Sequence, residues 1–282
     1  MALADLIFGL RARRGAIPDL PGFQRDAGAR ALHRSLQRWL PLAGMLGADM
    51  DLLAALAGTD KYGLHMYTPV YAALTAARRG RSVSLLEIGV GDFGGRPGGE
   101  SLLMWAAYFR KGRIYGIDIV DKTALSSGRI KVFQCSQTDR ERLTALARDI
   151  GPFDFVVDDG SHRSEHQIES FRILWPFVKD GGVYVVEDVQ TSYWPYFGGG
   201  VLGTREYGGS CMSFFKTLAD SVNLPEFLEP PAPEAGLQET IGAVAFHHNM
   251  IAITKDAGPR RSNLDLAALR PVLMRPRESP DP

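Results

Sequence analysis

Between Ser82 and Glu187 short apolar, β-branched runs alternate with segments of helical periodicity, and this alternation leaves few architectures open. Strand patterns fall at Ser82–Val90, Arg113–Ile119, Lys131–Gln134, Phe153–Val157 and Gly182–Glu187, with helical patterns at Glu100–Tyr108, Arg140–Ile150 and Ser164–Val178. Strands separated by helices return parallel to one another, so the expected fold is α/β, a doubly wound, mostly parallel Rossmann-like sheet. A further helix is expected at Met212–Val222, and two late runs, Ala243–Phe246 and Met250–Thr254, suggest an antiparallel edge. Residues 1–57 read as a helical N-terminal extension, with Pro18, Pro21 and Pro41 as breaks and Ala31–Leu40 and Ala48–Ala57 as helices. The main domain then spans 58–255 and opens with a helix over Pro69–Arg78. Residues 256–282, rich in Pro and Arg, read as an irregular tail.

Composition removes several function classes. The 282 residues are 45% hydrophobic, enough for a large core, and 32 basic residues balance 32 acidic ones. Zero net charge gives no global case for nucleic acid. Cys135 and Cys211 have neither metal-ligand spacing nor a disulfide framework, which fits a reduced, cytoplasmic protein. No run reaches the ~18 apolar residues of a membrane span. Leu3, Leu6, Ile7 and Leu10 precede Arg11, Arg13 and Arg14 at helical spacing. Such a helix suits weak contact with an anionic membrane surface, or packing on the domain or on a second subunit of a homo-oligomer.

Two of the strand patterns stop abruptly at acids, in Val156-Val-Asp-Asp-Gly-Ser-His162 and in Val185-Val-Glu-Asp-Val189. In an α/β sheet both clusters emerge at carboxyl ends of strands, where ligands bind. Asp159, Glu187 and Asp188 then converge on one hard divalent cation, magnesium, calcium or manganese, for which oxygen ligands are suited. His162 would stand beside that ion as a general base. A lone strand-end acid more often caps a helix; two clusters and a histidine shift the balance toward the ion. His166 reads as a surface or packing residue. Of the adjacent His247 and His248, one is expected buried and the other solvated.

The first strand ends in Leu86-Glu-Ile-Gly-Val-Gly91, and Asp118 closes the second. Gly89 and Gly91 let a ligand approach the backbone, and Asp118 can accept hydrogen bonds from both ribose hydroxyls of an adenosine cofactor. The third glycine of a dinucleotide fingerprint is met only by Gly94, inside a loop containing Arg96 and Pro97 that delays the helix to about Glu100. Pyrophosphate binding at a helix N-terminus is poorly served, which disfavours a nicotinamide-dependent oxidoreductase. Glu87 better suits a cationic ligand such as the amino-acid end of S-adenosylmethionine.

These motifs, together with Gly58-Thr-Asp-Lys61, His65-Met-Tyr-Thr-Pro69, Gly98-Gly-Glu-Ser101 and Tyr115-Gly-Ile-Asp118, occur in an order that resembles the metal-dependent sugar O-methyltransferases of the mycinamicin and macrocin type. The resemblance covers about residues 58 to 255. It implies a class I methyltransferase fold, with S-adenosylmethionine and magnesium (or manganese) as cofactors. It places Asp159, Glu187 and Asp188 on the metal and makes His162 the base. It also implies cofactor contacts near Thr59, Lys61, Glu87, Ser101, Asp118 and the turn Gln137-Thr138-Asp139. The implied acceptor is a sugar hydroxyl of a glycan, glycolipid or glycosylated natural product. A catechol-like phenol is the alternative within methyl transfer, and a catalytically silent binding protein is an alternative outside it. Tyr193, Trp194, Tyr196 and Phe197 lie in a long loop suited to a lid, where they would stack on sugar faces or pack the loop down.

Overall fold

The apolar runs of the sequence are strands covered on both faces, as parallel strands under helices must be. The computed structural model describes residues 34–91, 97–229, 237–258 and 260–275. Its strands are β1 (Ser84–Ile88), β2 (Arg113–Asp118), β3 (Ile130–Gln134), β4 (Phe153–Asp158), β5 (Val178–Glu187), β6 (Ile241–His247) and β7 (Met250–Lys255). They form one sheet in the order β3-β2-β1-β4-β5-β7-β6. The first five pair in parallel, and the β6–β7 hairpin closes one edge antiparallel to β5. The doubly wound, mostly parallel sheet expected from the alternation is the observed fold.

Because successive strand residues point to opposite faces, each strand feeds two cores. Leu85, Ile114, Val157 and Val185 pack on one side with Leu53, Tyr71 and Trp105. Leu86, Ile117, Val156 and Tyr184 pack on the other with Leu143, Phe171, Trp175 and Phe215. The helices of the first side are α1 (Leu40–Met45), α2 (Met50–Ala57), α3 (Thr68–Thr75) and α4 (Glu100–Tyr108). Those of the second are α5 (Arg140–Ile150), α6 (Ser164–Leu174) and α7 (Cys211–Ser221). The side chain of Asp49 starts α2 by accepting from Leu52 N at 2.8 Å, and Gly58, left-handed at φ 86°, stops it. That stop delivers Thr59 to Lys61 to the sheet edge, so part of the expected N-terminal extension is built into the main core.

Several boundaries differ from the sequence reading. Pro41, expected as a break, stands in the first turn of α1, where its missing N–H costs no hydrogen bond. The helix expected to reach Val178 ends at Leu174, because Pro176 cannot continue α-helical bonding and Trp175–Phe177 tightens into a 3-10 turn. Strand β5 accordingly begins at Val178, and its pairing with β4 is irregular between Phe153 and Phe155. The tail is not irregular throughout: α8 (Leu266–Leu273) is capped by Asp265, which accepts from Ala268 N at 3.1 Å. His247 and His248 are both exposed, since they lie at the open end of the outermost hairpin. The segment Leu3–Arg14 and residues Gly94 and Arg96 lie outside the described residues. Among the described residues no helix is long and apolar enough to cross a membrane.

Strand order reverses between β1 and β4, which opens a crevice at their carboxyl ends. The crevice is stitched by Gly89 N to Ile117 O at 2.8 Å and by Asp159 N to Ile88 O at 3.0 Å. Gly89 has φ +84°, and a Cβ there would lie 2.1 Å from the carbonyl oxygen of Asp159. Gly89→Ala therefore faces both a left-handed backbone and a backbone collision. It is expected to lower unfolding free energy by about 1–3 kcal/mol or more, as measured by urea denaturation. A change within experimental error would show that this turn relaxes without cost.

Candidate active site

The chemistry-bearing residues stand at the carboxyl ends of β1, β4 and β5. Beyond β4 the chain turns sharply through Asp159 to His162, which is left-handed at φ 56°. Beyond β5 it turns through Asp188, also left-handed at φ 55°. Asp, Asn and His adopt this conformation more readily than other non-glycine residues, and local hydrogen bonds fix it. Here Thr191 Oγ1 donates to the His162 carbonyl at 2.9 Å, and Gln137 Oε1 accepts from Ser161 N at 2.9 Å. Asn249, in the β6–β7 turn, offers its carbonyl to Val189 N at 3.2 Å and to the Tyr67 hydroxyl at 3.2 Å.

Asp159, His162 and Asp188 each present a ligand atom, and the three atoms lie within 4.8 Å of one another. His162 Nε2 is 3.6 Å from Asp188 Oδ2, while its Nδ1 is buried without a hydrogen-bond partner. On the other oxygen of Asp188, Tyr67 donates at 2.6 Å and His65 Nδ1 stands at 3.5 Å. Burial alone would raise the Asp188 carboxyl, but His162, His65 and the Tyr67 hydrogen bond hold it below its usual value. The two carboxylates so arranged offer oxygen donors that fit magnesium or manganese, with the imidazole beside them.

Glu187 is drawn into a second cluster behind this trio. Its two oxygens accept from Lys61 Nζ at 2.8 and 2.7 Å, and Tyr71 donates to Oε1. The same ammonium reaches Asp159 Oδ2 at 2.8 Å and Glu87 Oε1 at 3.2 Å. Burial would lower the Lys61 pKa, but these three acids hold it well above the usual value, so the ammonium persists. One ammonium cannot neutralise three acids: burial, followed by the charge of Asp159, pushes the Glu187 carboxyl well up. Such an excess of negative charge is what a divalent cation offsets.

The remaining sequence candidates divide into two groups. Glu87 joins Lys61 and accepts from Ser101 Oγ at 2.8 Å, so these three are brought together beside the β1 turn. Asp118 lies across that turn and accepts from Val90 N at 3.0 Å and Val120 N at 2.9 Å. Gly91 lies against the Lys122 ammonium, which occupies the space of a Cβ. Thr59 is buried next to Lys61, whose N–H is 3.5 Å from its hydroxyl. Farther off, Thr138 Oγ1 pairs with Ser136 Oγ at 3.1 Å, and Asp139 caps α5 by accepting from Arg142 N at 3.0 Å. Gln137 buttresses the Asp159 turn from behind. Tyr67, Tyr71, His65 and Asn249 carry no role in the sequence reading. The signal was the four-residue spacing of Tyr67 and Tyr71, which puts both phenols on one helical face. In the long loop Tyr193, Trp194 and Tyr196 are largely exposed, and Tyr193 stacks on Tyr207 at 5.8 Å.

Comparisons with known proteins bear on this site. A family model described as a methyltransferase domain matches residues 86–189. The 8-demethyl-8-alpha-L-rhamnosyl tetracenomycin-C 2'-O-methyltransferase of Streptomyces olivaceus is 41% identical over 77% of this chain and 58% of its own. The mycinamicin VI 2''-O-methyltransferase of Micromonospora griseorubida is 40% identical over 73% of this chain and 52% of its own. The chain thus spans little more than half the length of these curated relatives. Among solved structures, the MycE methyltransferase in complex with Mg and SAH superposes with a TM-score of 0.70 at 34% identity, over 89% of this chain and 68% of that one. Another structure of that enzyme, with Mg, SAH and mycinamycin VI, gives a TM-score of 0.67 at 38% identity, over 74% of this chain and 54% of that one.

One buried acid supports the site without facing it. Asp158 is fully buried and accepts from Gln137 Nε2 at 3.1 Å, Tyr184 OH at 3.2 Å and the Ser170 hydroxyl. Burial pushes its carboxyl up to about 6 from 3.8. The folded state then holds a proton that the unfolded state releases, so this group's contribution to stability is fully present below about pH 4 and is lost as pH rises through 6. The decline amounts to roughly 3 kcal/mol by linkage. Asp158→Asn is expected to remove this segment of the pH profile, read by urea titrations at successive pH values. An identical slope in wild type and variant would assign the effect elsewhere.

Proposed function

The chain belongs to the sugar O-methyltransferases of the tetracenomycin, mycinamicin and macrocin type, and from that premise we propose that it methylates a hydroxyl of a sugar carried by a natural-product aglycone or glycan. The observation that carries the reading is the convergence of Asp159, His162 and Asp188 within 4.8 Å, at the switch point of the sheet and beside Glu87. S-adenosylmethionine supplies a methyl group on a positively charged sulfur, and a divalent cation supplies Lewis acidity toward a sugar hydroxyl.

The chain's own residues do the rest. Glu87, steadied by Ser101, suits the cofactor's ammonium, and Asp118 suits its ribose. Asp159 and Asp188, joined by Glu187, are the residues to hold magnesium or manganese. A sugar hydroxyl is too weak an acid to lose its proton unaided at neutral pH. His162 Nε2 would take that proton as the oxygen acquires the methyl group, the bond to the cofactor's sulfur breaking to leave a neutral thioether. Asp188 Oδ2, 3.6 Å from Nε2, then steadies the imidazolium. The exposed rings of Tyr193, Trp194 and Tyr196 offer apolar faces to the sugar and its aglycone.

The test is methyl transfer from S-adenosylmethionine to a panel of glycosylated polyketides and free saccharides, with catechol as control. Turnover is expected with magnesium, abolished by chelator and restored by added magnesium or manganese. Full activity in excess chelator, after metal removal is confirmed, would overturn the metal's role. Methylation of catechol alone would overturn the sugar acceptor. His162→Ala is expected to cut the rate by about 10²–10⁴ with little change in cofactor or metal affinity. A rate within a few-fold of wild type, where chemistry limits turnover, would remove His162 from the reaction.

A further inference from the structure

Lys61 stands between Glu87 on one side and Asp159 and Glu187 on the other, and its ammonium is spent on these acids. It is fully buried, and its carbonyl accepts from Tyr67 N at 2.8 Å and Thr68 N at 3.3 Å, which roots it at the start of α3. Its ammonium has three protons. Within reach are Asp159 Oδ2 at 2.8 Å, both Glu187 oxygens at 2.8 and 2.7 Å, and Glu87 Oε1 at 3.2 Å. We propose that Lys61 is a resident counter-ion that withholds Glu187 from the Asp159–His162–Asp188 trio, so that a divalent cation completes its carboxylate set only by displacing this ammonium. The inference rests on the reading of Asp159, Glu187 and Asp188 as the metal ligands.

Three observations carry it. The trio of ligand atoms within 4.8 Å does not include Glu187, although Glu187 follows β5 directly and neighbours Asp188 in sequence. Both Glu187 oxygens are already occupied, by Lys61 and by Tyr71, and Gln167 Nε2 fixes the Glu187 carbonyl at 2.9 Å. Glu87 Oε1, although 3.2 Å from the ammonium, is buried with no well-directed hydrogen bond. That oxygen is the acceptor available to Lys61 once Glu187 is surrendered. The shift is short: a small rotation about the end of the lysine stem trades one carboxylate for another inside the same cluster. Metal and ammonium share oxygens on Asp159 and Glu187, and as like charges they repel across a few ångströms. Lys61 therefore holds the acids in place before the metal arrives and weakens the metal once it is there.

A lysine that merely buttresses the site would have the opposite signature, because its loss would disorder the ligands and weaken metal binding. The deciding measurement is Mn²⁺ affinity of the whole 282-residue chain, free of cofactor, at one pH, from the electron paramagnetic resonance signal of free Mn²⁺, with folding checked by circular dichroism. Wild type is expected to bind Mn²⁺; if it leaves all Mn²⁺ free, the metal reading itself is overturned. Given wild-type binding, Lys61→Met is expected to tighten the affinity about tenfold or more through removal of the like charge. Equal or weaker binding by a folded Lys61→Met overturns the inference while leaving the metal reading intact. Should Lys61→Met fail to fold, Glu87→Gln decides the matter, since it keeps Lys61 but removes the negative charge that would receive its ammonium. Glu87→Gln is expected to weaken Mn²⁺ several-fold, and unchanged or tighter binding overturns the inference.

Discussion

Mutual repulsion among carboxylates is the constraint around which the functional edge of this sheet is organised. Glu87, Asp159, Glu187 and Asp188 arrive from the ends of three strands, and two of them, Glu87 and Glu187, are almost fully buried. Buried charge of one sign is tolerated only when partners of the opposite sign and hydrogen-bond donors surround it. Lys61 provides the charge, while Tyr71, Tyr67 and Ser101 provide the donors. Each partner comes from α3, from α4 or from the connection between α2 and α3, on one side of the sheet. The first helices of the main domain thus act as a lid of donors over the acidic edge, as well as a hydrophobic cover.

The turns that aim the acids depend on irregular backbone. His162, Asp188 and Asn249 all have left-handed φ, and all three lie within one local network of backbone and side-chain hydrogen bonds. Each conformation is costly alone. Their clustering means that the shared hydrogen-bond network holds these turns in place. Gly89 belongs to the same group, but there the backbone conformation is met by the residue that adopts it most easily.

The fold was readable in the sequence where periodicity was strong and the contacts repeat along the chain. Helices α4 and α5 begin and end where the apolar spacing places them, and the central strands follow their β-branched runs. Asp159, His162 and Asp188 were legible because acids and a histidine follow strands directly, which fixes them at one edge of any parallel sheet. Glu187 was legible as a strand-end acid but not as the partner of Lys61, which lies 126 positions away. Tyr67 meets Asp188 across 121 positions and the Asn249 carbonyl across 182. No local pattern encodes such pairings; they arise from how α2 and α3 pack on the sheet. The boundary errors at Pro41 and Pro176 have a simpler cause, since proline is compatible with a first helical turn and with a 3-10 turn, and neither is marked in spacing.

The β6–β7 hairpin has a consequence for the order in which the molecule comes into being. Its turn residue, Asn249, supplies the carbonyl that Tyr67 and Val189 share, so the floor under Asp188 is laid by nearly the last strand of the sheet. All five parallel strands leave the ribosome before that carbonyl does. Until the hairpin docks, the nascent protein carries an acidic edge whose aiming turns are only partly fixed. Maturation of the edge is therefore a late event, tied to arrival of the carboxyl-terminal part of the chain rather than to closure of the hydrophobic cores.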